Sequence, residues 1–341
     1  MQKTRQSNFE LLRTISCFMI IVLHYLNGSM GGALSNVVKG SLNYYVAHTV
    51  ESLCIVGVNC FILISGYFMI KKTEVYIGKV VKLFITLLFY GLVCFGIAVL
   101  FGFKGFSVKE LILAIIPFLG GRRWFISTYI ILFLLIPYIN KTLNNLSKKD
   151  YQVYLIIYIL IFSLWPTFLP SPPVTDGGYG IINFILLYSI GGYVKLHIEK
   201  IPNKLVSFSM YIVFAILTTI MSFYIGRAWN YNNIFNVLGS LMLFFLFYNI
   251  KIQSKFVNNL SKLSFGIFIL HSDPMLRDTF YSWMKCSNYY DSIYFRVHLI
   301  VCCLLSYIIF GIIDYVKEKV FEKTIYKVVD NNKYLNYKIK A

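Results

Sequence analysis

Long apolar runs alternate with short polar segments along almost the whole chain. A membrane-spanning helix needs about 20 apolar residues at a rise of about 1.5 Å each. The run 112–119 is too short to span and is expected to be interfacial or re-entrant. The pattern predicts an all-α, polytopic membrane protein with about ten transmembrane helices around a central cavity. The predicted spans are 9–27, 50–70, 80–101, 124–140, 151–168, 181–196, 205–225, 234–250, 263–281 and 294–316.

Composition supports this class and argues against others. Hydrophobic residues make up 58% of the 341-residue chain and charged residues only 13%, whereas a soluble domain carries about 25% charged residues. The net charge of +18 could suggest a nucleic-acid partner, but the lysines lie in short loops between spans, and most of them fall on the same side of the predicted membrane as the N-terminus. That asymmetry instead predicts both termini in the cytoplasm and contact with membrane lipids.

No internal repeat or second folded domain is evident. We therefore expect one membrane domain over 1–341, in which 317–341 forms a basic cytoplasmic tail. Six of the seven cysteines lie in apolar runs and no CxxC motif occurs, which indicates packing residues without disulfides or a bound metal.

The first predicted span carries ionisable residues on one helical stripe. At 100° per residue, Glu10, Arg13 and His24 face the same way, with Arg13 and His24 about 16 Å apart along the axis. Charged residues inside a span usually face a cavity and mark function. Alternatives remain for two of them: Ser7 and Glu10 fit a helix-capping box, and Arg13 could extend to the inner interface.

The spacing Arg13-x10-His24, in a span that opens Asn8-Phe9-Glu10, resembles the signature of the acyltransferase-3 family. These are bacterial membrane O-acyltransferases, many of which acetylate cell-surface glycans. Three later stretches resemble family motifs in the same order. They are 59–67 (FFxxSGY-like), 124–137 (WFL…Y…P-like) and 263–271 (SYGxYLxH-like).

The resemblance implies a cytoplasmic acyl-CoA donor, most simply acetyl-CoA, and a glycan hydroxyl as acceptor. It makes His24 the catalytic residue, with Arg13 and an acidic Glu10 beside it. Where many members carry Arg-x-Arg after the second span, this chain has Lys79 and Lys82, which we expect to bind the donor with Arg13. His24 is then the general base, or forms a transient acyl-histidine.

Acceptor contacts are expected near the outer face. Arg122 and Arg123 would hold an anionic acceptor, or form an interfacial girdle with Trp124. His271 would line the cavity of His24, or satisfy carbonyls freed by Pro274. Tyr67, Trp124 and His271 complete the predicted acceptor-binding set, and Glu51 is interpreted as interfacial.

The sequence thus predicts an acetyltransferase of the bacterial inner membrane, acting on a lipid-linked or polymeric glycan of the cell envelope. The alternative is a transporter, flippase or export component for a polyprenyl-linked glycan. Such a protein would be expected to show repeated halves and paired broken helices.

Overall fold

The structure, a computed structural model, describes residues 5–121, 123–335 and 337–341. It is almost entirely helical, with one short two-stranded ribbon formed by β1 (Glu74–Tyr76) and β2 (Lys338–Lys340). A π-helical turn, Leu160–Leu164, joins α8 to α9. The helices are α1 Ser7–Leu26, α2 Ala33–Asn36, α3 Leu42–Cys54, α4 Val56–Met69, α5 Ile77–Leu100, α6 Val108–Ile115, α7 Trp124–Asn144, α8 Lys148–Ile159, α9 Trp165–Phe168, α10 Ile181–His197, α11 Lys204–Ser222, α12 Ile234–Tyr248, α13 Lys255–Lys262, α14 Ser264–His271, α15 Arg277–Trp283, α16 Phe295–Lys323 and α17 Ile325–Asn331.

Within the described residues, eight helical segments are long and apolar enough to cross a membrane. The 17-residue helix α10 is a shorter apolar helix beside them. The predicted all-α polytopic membrane protein is confirmed. The eight segments are Ser7–Leu26, Leu42–Met69, Ile77–Leu100, Trp124–Asn144, Lys148–Phe168, Lys204–Ser222, Gly226–Tyr248 and Phe295–Lys323.

The predicted span 263–281 is not one continuous helix, and that expectation was wrong. The chain forms α14, breaks after His271, and resumes as α15 at Arg277. Pro274 has no N–H to continue the helix, and the Asp273 carboxylate accepts the Met275 N–H at 3.0 Å instead. The break brings polar groups to the middle of the bundle.

Helix α1 lies at the centre of the bundle and packs against α3, α4, α12, α13, α14 and α16. Its neighbour α4 approaches α10 so closely that a Cβ on Gly66 would lie 2.1 Å from the Tyr188 carbonyl oxygen. A Cβ on Gly191 would likewise lie 2.2 Å from the Leu63 carbonyl oxygen. Small residues allow such backbone contact between apolar helices.

Both chain ends lie on the same side of the bundle, which we call the terminal side. Phe9 near the start of α1 packs 5.3 Å from Tyr67 near the end of α4, and β1 follows directly. Strand β2 pairs antiparallel with β1, with Val75 opposite Ile339. The Lys338 ammonium beside Glu74 holds the pKa of that carboxyl below its usual range. The opposite face is called the far side.

The described residues of 317–341, a segment expected to form a tail, are folded onto this side. They comprise the last turns of α16, helix α17 and strand β2. Helix α17 packs against α5, where Lys82 Nζ lies 2.6 Å from Asp330 Oδ1.

Candidate active site

The carboxylate of Glu10 fixes the guanidinium of Arg13. Glu10 is buried, its Oε1 accepts a hydrogen bond from Arg13 Nη1 at 3.0 Å, and its Oε2 accepts from the Ser261 hydroxyl. Charge-assisted hydrogen bonds of this kind are stronger than neutral ones. Arg13 is therefore pre-oriented and remains partly exposed.

The predicted capping box does not form. Ser7 is the first residue of α1, and the helix is preceded by Gln6 without a side-chain cap. The Ser7 hydroxyl instead accepts the Ser254 N–H at 3.0 Å. The Glu10 carboxylate does not cap the helix either, because its oxygens accept hydrogen bonds from Arg13 and Ser261.

His24 and His271 form a hydrogen-bonded pair, with His24 Nδ1 2.6 Å from His271 Nε2 and the rings stacked at 4.7 Å. His271 Nδ1 lies 2.7 Å from the Ile267 carbonyl oxygen. A carbonyl can only accept, so Nδ1 of His271 carries the proton. In the neutral pair, His271 Nε2 then accepts from His24 Nδ1–H.

This chain of hydrogen bonds determines the tautomer of His24. Its Nε2 is left with a lone pair and has no hydrogen-bond partner among the residues that the structure describes. The hydrogen bond made by one ring nitrogen of a histidine commonly determines whether the other nitrogen is protonated. The arrangement suits an imidazole that accepts a proton at Nε2.

His24 lines a cavity of about 530 Å³ toward the far side, here called the His24 cavity. Its wall includes Trp124, whose ring lies 4.4 Å from that of Tyr179 and 5.4 Å from that of Tyr231. Glu51, Arg123 and Arg277 add charged groups to the same wall. The space is thus polar on some faces and aromatic on others, as small-molecule sites commonly are.

Arg123 is held inside the bundle. Its Nη2 lies 2.5 Å from Asp273 Oδ2, and the side chains are only 10% and 2% exposed. The interfacial-girdle alternative therefore does not apply to Arg123, whose guanidinium faces protein and cavity. Arg122 lies outside the described residues.

Arg13 lines a second cavity of about 230 Å³ toward the terminal side, here called the Arg13 cavity. Lys262 and Ser261 also border it, and most of the remaining wall is apolar or aromatic. Four residues border both cavities, so the two meet at a shared apolar wall between Arg13 and His24. These four are Ile20, Phe125, Ile126 and Phe268.

Several predicted site residues lie elsewhere. Tyr67 is buried among aromatic rings, with Lys195 Nζ 4.7 Å from its centroid, and borders neither cavity. Lys79 lines a separate pocket beside β1, and Lys82 pairs with Asp330. His271 is fully buried behind His24 and is not part of the cavity wall.

Sequence reasoning overlooked three cavity residues. Lys262 was counted only as a loop charge that indicates topology, and Glu51 was interpreted as interfacial although a carboxylate within an apolar run is itself a signal. Arg277 lies near the end of the predicted span 263–281, where a charged residue is expected at the membrane interface.

The fold is thus a multi-pass helical bundle with an oriented imidazole in the wall of one of two adjoining cavities, an arrangement that fits a membrane-embedded enzyme. The acyltransferase-3 family model, described as an acyltransferase domain, matches residues 6–315 of the 341-residue chain. The protein therefore belongs to this family and is a multi-pass membrane acyltransferase. Searches of curated protein sequences and of solved structures gave no match.

Proposed function

We propose that the protein transfers an acetyl group from acetyl-CoA to a hydroxyl of a cell-envelope or exported glycan, with His24 as the general base. The observation that carries this proposal is the Nε2 of His24, which has no partner among the described residues and whose tautomer is fixed by His271 and the Ile267 carbonyl. Thioesters are already activated, so the main need is a base for the poorly nucleophilic hydroxyl.

In the reaction, His24 Nε2 takes the hydroxyl proton as the acceptor oxygen attacks the thioester carbonyl carbon. The C–O bond forms, the C–S bond breaks, and the departing thiolate takes the proton from the imidazolium. An acyl-histidine route uses the same lone pair as a nucleophile. Either route leaves an acetyl ester and free CoA.

Donor binding is assigned to the Arg13 cavity. Arg13 and Lys262 give this cavity a cationic end suited to phosphate, while its aromatic wall suits the less polar arm of CoA. Arg13 and His24 are about 16 Å apart along α1, so one group can hold phosphate while the other meets the acyl carbon. Lys79 and Lys82 border other parts of the terminal side and are proposed only as contacts of the nucleotide end.

Acceptor binding is assigned to the His24 cavity, with Arg123 and Trp124 in its wall. A neighbouring hollow of about 640 Å³ shares Gly28 and Met30 with this cavity. It offers room for the next residues of a longer or lipid-linked glycan. The terminal side is assigned to the cytoplasm of a bacterial inner membrane, in keeping with its concentration of lysines.

The test is transfer of labelled acetyl from acetyl-CoA to envelope glycan by purified protein. His24→Ala should lower kcat by about 10²- to 10⁴-fold, the usual contribution of a general base. His197→Ala, at the C-terminal end of α10 and bordering neither cavity, is the matched control and should retain activity. Full transfer by His24→Ala at normal protein levels would refute the assignment, and glycan transport without thioester consumption would favour the flippase alternative.

A further inference from the structure

Glu51 is a buried carboxyl with no hydrogen-bond partner among the residues that the structure describes. It lies in α3, is only 8% exposed, and its Oε2 has no hydrogen-bond partner among the described residues. A buried, unsatisfied polar group costs free energy of folding. Because Glu51 also lines the His24 cavity, a ligand in that cavity is the natural source of the missing hydrogen bond.

Aromatic rings form the wall beside it. Trp124, Tyr179 and Tyr231 contact one another, with Tyr179 and Tyr231 4.9 Å apart. Burial raises the pKa of Tyr179, and the nearby Glu51 carboxylate adds to this rise, so the hydroxyl stays protonated as a donor. A flat ring face beside a carboxylate and phenolic hydroxyls fits a sugar ring, which has an apolar face and hydroxyls around its edge.

The basic groups around the cavity are paired with acidic ones and disfavour a cationic ligand. Asp273 pairs with Arg123. Asp278 pairs with both Arg277 and Lys104. A cationic ligand would meet the two guanidinium groups in the same wall, which disfavours it.

We propose that Glu51 accepts a hydrogen bond from a hydroxyl of the saccharide acceptor other than the one acylated. It thereby selects which hydroxyl reaches His24. The inference rests on the proposed function, since it presumes a saccharide in the His24 cavity. Glu51 is a positioning residue and takes no part in proton transfer.

Binding can be tested without any acyl donor. Purified protein is titrated with a set of methyl hexosides and their single-deoxy analogues, and tryptophan fluorescence reports occupancy beside Trp124 and Trp229. We expect wild type to bind and Glu51→Leu to bind at least about tenfold more weakly, as loss of a hydrogen bond to a charged group implies. Glu51→Gln should lose less, because its amide oxygen still accepts. Glu199→Gln, an exposed carboxyl outside the cavities, is the control and should bind as wild type does.

One deoxy analogue should bind wild type weakly and show no further loss in Glu51→Leu, which would identify the hydroxyl that Glu51 contacts. Thermal unfolding separates this role from a structural one: Glu51→Leu should unfold at the same or a higher temperature, because it removes an unpaired buried carboxyl. Unchanged binding by Glu51→Leu, or no methyl hexoside bound by wild type, would overturn the inference. Glu51-dependent binding without acetyl transfer would instead refute the proposed function alone.

Discussion

The two cavities beside α1 differ in size and in the chemistry of their walls. The Arg13 cavity is about 230 Å³ and mainly aromatic with a cationic end, whereas the His24 cavity is about 530 Å³ and carries both carboxylate and guanidinium groups. A narrow apolar space suits a flexible thioester arm, and a wider polar one suits a polyhydroxylated ring. The difference suggests that each substrate has its own side, with the imidazole near their shared wall.

Among substitutions that distinguish the two cavities from the imidazole they share, His271→Phe should have the largest effect. The phenyl ring preserves much of the packing behind His24 but lacks the nitrogen that accepts a hydrogen bond from His24 Nδ1–H. Loss of orientation at a reacting group costs about 100-fold, so kcat should fall by about that factor while both KM values stay near wild type.

The control for His271→Phe is the double variant with His24→Ala. If His271 acts only through His24, the double variant should be no slower than His24→Ala alone, because residues in one network are not additive. A further large loss in the double variant would show that His271 has an independent role.

Arg13→Lys should change donor binding alone. Lysine keeps the charge but loses the planar fork that bonds to Glu10 and that we propose also binds a phosphate of the donor. We expect the apparent KM for acetyl-CoA to rise about 10- to 100-fold, as loss of a charge-assisted hydrogen bond implies, with the acceptor KM unchanged. Steady-state kinetics with each substrate varied in turn would show this, and a change in the acceptor KM alone would contradict the division between the cavities.

Arg123→Lys should weaken acceptor binding instead of donor binding, and by a smaller factor. The substitution preserves a cation for the buried Asp273 while it removes donors that face the His24 cavity. The acceptor KM should rise by up to about tenfold, roughly the contribution of one hydrogen bond, and the donor KM should not change. The same kinetic series provides the measurement, and a raised donor KM would refute the assignment.

Much of the bundle follows from sequence pattern, because apolar length alone determines which segments can span. The stripe of Glu10, Arg13 and His24 follows from helical periodicity, and the structure places the last two in adjoining cavities. The meeting of His24 with His271 could not be predicted by spacing, since it depends on how α14 packs against α1.

Other departures have local physical causes. Ser254 competes for the hydroxyl of Ser7 and prevents the capping box. The helix break at Asp273-Pro274 divides a segment that hydropathy alone predicts to be one continuous span. Lys82 pairs with Asp330, 248 positions away in the sequence, because the C-terminal segment folds back onto the bundle.

The central claim is that donor and acceptor reach His24 from opposite sides of the membrane. Proteoliposomes in which the terminal side of every protein faces outward would test it, with labelled acetyl-CoA added outside and glycan acceptor enclosed within. We predict acetylated glycan inside the vesicles, and none when acetyl-CoA is enclosed and the acceptor is outside. Equal transfer in both arrangements, or transfer only when both substrates share one compartment, would contradict the account.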